Sequence, residues 1–186
     1  MSAGAAKALT SSGLQNHFEL FGLAPAFALE SEALERSYRD IQSRVHPDRF
    51  AHAGDAERRA SLQWTTRVNE AYRTLKDPVQ RGKHILELHG VDVAFETNTQ
   101  MPADFLMQQL ELREELESAT GAKDASRLER MRARLRTQTQ TLERQLGELI
   151  DTKKDYSGAA ELVRKMMFLG WPARPERDAF GMKSSG

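Results

Sequence analysis

The tripeptide His46-Pro47-Asp48 is the first place to look for chemistry in this 186-residue chain. It sets an imidazole and a carboxylate either side of a proline. Proline locks its own φ and pushes the residue before it out of helical geometry. The tripeptide therefore reads as a loop that ends one helix. On that helix Arg36, Arg39 and Arg44 spread over an arc opposite the apolar stripe, at about 100° per residue. His46, Asp48 and His52 can also be drawn as a metal cluster, but the proline and the loop argue against a preorganised ligand set. His17, His84 and His89 read as surface or interhelical histidines. The chain has no cysteine, hence no thiol nucleophile and no thiolate zinc or iron–sulfur site. It also lacks a glycine-rich phosphate loop and a paired nucleophile and base. The expectation is a protein that is not an enzyme and holds no metal or cofactor.

Composition narrows the partners. Lys and Arg total 27 against 27 Asp and Glu, a balance that argues against a general nucleic-acid binder. The Arg127–Arg136 run is expected to face an acidic helix and solvent instead. No apolar run approaches the roughly 20 residues that span a bilayer, and residues 1–13 lack the apolar stretch of a secretory signal. A cytoplasmic chain with no membrane partner is expected, read as a disordered tail over 1–13 followed by two helical pieces.

The helices follow from periodicity. Asn16 or Ser12 caps a short helix through Phe18, Leu20, Phe21 and Leu23 that ends near Pro25. A second opens at Ser31, with Glu32 and Glu35 in its first turn, and carries Leu34, Tyr38, Ile41 and Val45 on one stripe. A third, with Asp55 as its N-cap, places Trp64, Val68, Ala71, Tyr72 and Leu75 on one face. A fourth runs from Val79 to Leu88, with Gly90 at the stop position. Residues 91–102 read as a linker and 172–186 as a second tail.

Beyond Pro102 the spacing predicts a three-helix bundle over 103–171. Its members are an acidic helix over 104–119 stopped by Gly121, a basic one over 123–150, and a last one from Tyr156 to about Leu169. The basic helix carries a heptad-like stripe of Leu128, Met131, Leu135, Leu142, Leu146 and Leu149. The acidic helix has two apolar faces. Phe105, Leu112, Leu116 and Ala119 form the expected core stripe, while Leu106, Met107 and Leu110 cluster roughly 140° away among charges. In the last helix Tyr156, Val163 and Met167 define the expected core side, and Phe168 points off it. Large apolar groups among charged ones point either to a face that packs against the first helical piece or a dimer mate, or to a docking surface for a client, where methionine supplies an adaptable contact. No strand-like alternation is found, so the fold class is all-α.

Several strings together resemble a J-domain. They are His17-Phe18-Glu19-Leu20-Phe21-Gly22-Leu23, then Tyr38 with His46-Pro47-Asp48-Arg49-Phe50, then Asn69-Glu70-Ala71-Tyr72-Arg73-Thr74-Leu75-Lys76-Asp77-Pro78 and Arg81. The resemblance implies a helical hairpin, within 14–90, that presents His46, Pro47 and Asp48 to a heat-shock ATPase chaperone and stimulates its hydrolysis. Arg36, Arg39 and Arg44 match the basic residues that steer that encounter. Most J-proteins continue into a Gly/Phe-rich region and a cysteine-rich zinc module, both missing here. This chain continues instead with Arg81 through Gly90, then Phe105-Leu106-Met107-Gln108-Gln109-Leu110-Glu111-Leu112-Arg113-Glu114-Glu115-Leu116, and finally Val163 through Leu169. These are similar to the HscB-type iron–sulfur co-chaperones over roughly residues 16–170. That likeness implies that Leu106, Met107, Leu110 and Phe168, flanked by Glu111 and Glu114, bind an IscU-like cluster scaffold for delivery to an HscA-like ATPase. The alternative is a general J-protein that hands unfolded clients to a DnaK-like chaperone.

Overall fold

The structure, a computed structural model, describes residues 16–45, 54–93 and 102–168. The readings on residues 1–13, on His46-Pro47-Asp48 and His52, on 94–101 and on everything after Phe168 lie outside the described residues. Helix is the one regular structure among those described: α1 (His17–Leu20), α2 (Ser31–Val45), α3 (Asp55–Lys76), α4 (Pro78–Leu88), α5 (Ala103–Gly121), α6 (Ala125–Gly147), a π-helical segment (Glu148–Lys153) and α7 (Tyr156–Phe168). The chain divides into two compact units, residues 1–85 and 86–186.

In the first unit α1 and α2 both pack on α3. Asn16 caps α1 through a capping box. The Glu19 amide donates to Asn16 Oδ1 at 3.0 Å, and the Asn16 amide donates to Glu19 Oε2 at 3.2 Å. The helix stops at Leu20 instead of reaching Leu23, because Gly22 takes a left-handed φ of +67° and the Leu23 amide returns to the Phe18 carbonyl. Among the described residues of this unit, Phe18, Phe21, Phe27, Leu34, Val68, Ala71, Leu75, Val79 and Ile85 are buried and apolar. The N-cap of α3 is Gly54, not Asp55; Asp55 lies in the first turn, where the helix dipole favours an anion, and pairs with Arg58. Pro78 opens α4, and the Asp77 carboxylate accepts from the Gln80 amide at 2.8 Å.

The division between the units falls at Ile85 and Leu86, inside α4. Past this point the chain belongs with the bundle: His89 stacks on Tyr156 at 4.1 Å, and Arg164 Nη1 donates to the Val93 carbonyl at 3.1 Å. Gly90 ends α4 with φ +73°, and the Val91 amide returns to the Leu86 carbonyl.

In the second unit α5 and α7 both pack on α6, and α7 also packs on the π-helical segment. Gly121 does not stop α5; it is the last helical residue. The left-handed position is Lys123 (φ +52°), with the Asp124 amide bonded to the Ala119 carbonyl. Asp124 then caps α6 by accepting from the Arg127 amide at 2.9 Å. The basic helix ends its α-helical course at Gly147 and widens into the π segment, which closes at Lys154 (φ +55°).

Burial corrects three core assignments. Leu116 and Leu135 are 48% and 38% exposed, so neither is core. In α7 the buried methionine is Met166, and Met167 is only half-buried. The spacing of Ala159, Val163 and Met166 follows one helical stripe, and the small Ala159 and Ala160 let α7 seat closely along it.

Candidate functional site

Two surfaces carry the residues picked out in the sequence, one in each unit. The first is the α2–α3 hairpin. Tyr38 of α2 stacks on Tyr72 of α3 with ring centroids 4.1 Å apart. Its hydroxyl donates to Asn69 Oδ1 at 2.9 Å and accepts from Gln42 Nε2 at 3.0 Å, which pins the middle of the hairpin. At the end of α2, Ser61 Oγ donates to the Val45 carbonyl at 2.7 Å, and Thr65 Oγ1 reaches the same oxygen at 3.4 Å.

Arg36, Arg39 and Arg44 project from α2 into solvent. Each pairs with a carboxylate one turn earlier: Glu32 at 3.5 Å, Glu35 at 3.3 Å and Asp40 at 2.8 Å. Such exposed pairs contribute only about 0.3–0.5 kcal/mol each, so a partner carboxylate can displace them at little cost. His17 and His84 do not reach toward this surface. They stack on one another at 4.2 Å between α1 and α4, and the His17 amide donates to His84 Nε2 at 3.3 Å. Among the described residues no three His, Asp or Glu side chains converge as metal ligands, and no helix is long and apolar enough to cross a membrane.

The second surface lies on the bundle. Leu106, Met107 and Leu110 are 43%, 57% and 52% exposed along one side of α5, while Ala119 of the same helix is fully buried. Glu111 and Glu114, both exposed, border them. Phe168, 41% exposed at the end of α7, meets Phe105 edge-on with centroids 5.6 Å apart. Phe168 thus touches α5 through Phe105, the residue just before Leu106. Arg113 and Glu117 continue the α5 face toward the C-terminus as an ion pair of 3.0 Å. The basic run on α6 divides as expected: Arg127 and Arg134 reach Glu115 of α5 at 3.9 and 2.5 Å, whereas Arg130 and Arg132 bond within α6.

One position was placed too deep by the sequence reading and one escaped it. Phe105, assigned to the core, is half-buried and supports Phe168. Ser61 is buried, and its signal was available: it sits seven positions before Val68, a polar residue on the apolar stripe of α3.

Residues 101–170 match a family model described as the HSCB C-terminal oligomerisation domain. Over 154 residues the chain is 51% identical to a co-chaperone protein HscB homolog of Burkholderia mallei, covering 83% of this chain and 87% of that protein. Among solved structures, the chaperone HscB of Vibrio cholerae superposes with a TM-score of 0.75 at 35% identity, over 84% of this chain and 91% of that one. The human co-chaperone HscB gives a TM-score of 0.78 at 25% identity, over 85% and 78% of the respective chains.

Proposed function

The chain belongs to the HscB family of co-chaperones, and from that premise we propose that it serves iron–sulfur cluster biogenesis by bringing a cluster scaffold to a heat-shock ATPase. Residues 14–90 act as a J-domain. His46, Pro47 and Asp48 engage an HscA-like ATPase and trigger hydrolysis, and Arg36, Arg39 and Arg44 exchange their intrahelical carboxylates for acidic groups on that partner. Residues 103–171 hold an IscU-like scaffold on Leu106, Met107, Leu110 and Phe168, with Glu111 and Glu114 at the rim. The chain carries no cluster itself and works in the cytoplasm.

One observation supports this reading most: an apolar cluster, half-exposed and bordered by acids, on a helix that is anchored in the bundle at Ala119. Leaving that much apolar surface in water is unfavourable unless a partner covers it. The test is single-turnover ATPase stimulation with purified ATPase and scaffold, comparing the parent, His46→Gln, and the Leu106/Met107/Leu110 triple alanine variant. His46→Gln should be silent with and without scaffold. The triple variant should keep basal stimulation and lose the extra stimulation that scaffold brings. A triple variant that retains it would favour the general J-protein.

The description of the matched family model as an oligomerisation domain supports a second reading, in which the same patch pairs two copies of the chain. Light scattering separates the two. Self-association would be concentration-dependent and abolished by the triple variant, whereas a scaffold-docking patch leaves the free chain monomeric.

A further inference from the structure

The last carbonyls of a helix have no partner within it. Val45 is the last helical residue of α2, and Pro47, two residues on, disfavours helical geometry at the residue before it. The Val45 oxygen is met from another helix: Ser61 Oγ donates to it at 2.7 Å, with Thr65 Oγ1 at 3.4 Å. Ser61 is 1% exposed, the sole polar residue among the buried side chains described. Val45 is the residue immediately before His46.

We propose that Ser61 is a positioning residue for the ATPase-triggering tripeptide: by tying the Val45 carbonyl to α3, it sets the point and direction at which the chain leaves α2. This rests on the assignment of His46, Pro47 and Asp48 as the ATPase contact. A tether of this kind acts on the fraction of molecules that are competent to bind. An apparent dissociation constant rises in inverse proportion to that fraction, while the saturated complex is unchanged. Ser61 therefore governs how much co-chaperone is needed, and leaves what it does once bound to the tripeptide.

The experiment titrates the full chain against the ATPase and reads the half-saturating concentration separately from maximal stimulation. Ser61→Ala, which is near in size, should raise the half-saturating concentration about fivefold, the worth of one neutral hydrogen bond. Maximal stimulation, helicity and scaffold affinity should stay at parental levels. Thr65→Val, which removes the longer bond to the same oxygen, should shift the concentration about twofold in the same direction. Loss of maximal stimulation with no shift in half-saturation would mark Ser61 as merely structural and overturn the proposal. So would a Ser61→Ala curve that overlays the parent while His46→Gln is silent, an outcome that leaves the ATPase contact standing. Should Ser61→Ala fail to fold, Thr65→Val carries the test, and its overlay on the parent would overturn the proposal. If His46→Gln itself stimulates normally, the assignment of the tripeptide falls, and the role of Ser61 falls with it.

Discussion

Two methionines of the bundle offer a controlled comparison, because Met107 is 57% exposed and Met166 is fully buried. Burying a whole methionine or leucine side chain stabilises a fold by about 1.5–3 kcal/mol. Roughly half of that surface is missing at Met107, compactness of the unfolded chain trims the remainder by about 10–40%, and alanine returns a little helix propensity. Met107→Ala should thus cost about 0.5–1 kcal/mol, as should Leu110→Ala at 52% exposure. Met166→Ala leaves a closed cavity and should cost about 2–5 kcal/mol, as should Leu146→Ala. For a unit of this size 1 kcal/mol moves the melting temperature by about 4–8 °C, so the exposed and buried variants separate cleanly in a calorimetric scan. Binding should reverse the order. Each patch anchor is expected to contribute about 1 kcal/mol or more of scaffold affinity, at least a fivefold weakening by titration calorimetry. Met166→Ala should bind normally wherever it stays folded. A Met107→Ala melt that falls as far as Met166→Ala would refute the placement of the patch outside the core. Parental melts with parental affinity across Met107→Ala, Leu110→Ala and the triple variant would refute its role in docking.

His46→Gln should abolish ATPase stimulation in a steady-state assay while far-UV dichroism and the melting curve stay unchanged; a variant that still stimulates removes the J-domain mechanism. Arg36→Glu and Arg39→Glu set a second acid one turn from Glu32 or Glu35, a repulsion of only a few tenths of a kcal/mol within the helix. Association with the ATPase should nevertheless slow at low salt and lose part of its salt dependence, read by stopped flow, and an unchanged on-rate would leave these arginines as solvated surface. Tyr38→Phe removes the hydroxyl shared by Asn69 and Gln42 and should destabilise the first unit by about 1–2 kcal/mol in urea, with the second unit unaffected. A melt equal to the parent's would mean that water replaces both bonds.

Local rules made most elements legible. Asn16 with Glu19, Pro47 after Val45 and Gly90 after Leu88 each punctuate a helix through their own chemistry, which a sequence displays directly. The misreadings share a cause: they depend on where a neighbouring helix lies. Because α5 is apolar on two sides, periodicity alone could not say that Leu116 would end in water. The choice between Met166 and Met167 turns on a rotation of one residue, decided by how Ala159 and Ala160 seat against their neighbours. Lys123 took a left-handed position usually left to glycine, held there by the Asp124 amide reaching the Ala119 carbonyl, and no residue type announces that. The exposure of Leu106, Met107 and Leu110 was legible because apolar residues among charges stand out whatever the packing, whereas the contact of Phe168 with Phe105 is one that only the folded bundle reveals.

The edge-on contact of Phe105 with Phe168 ties together two helices of the bundle that are distant in sequence, α5 and α7. A partner that covers both helices at once recognises only the folded bundle, since the unfolded chain has no such juxtaposition. Binding and folding are then linked by mass action: at a free partner concentration 100 times the dissociation constant, the native state gains about 2.7 kcal/mol. The bundle thus becomes harder to unfold while it is loaded and relaxes to its own intrinsic stability once the partner leaves. An isolated α5 peptide would share none of this coupling, because it carries Phe105 without the Phe168 ring that meets it.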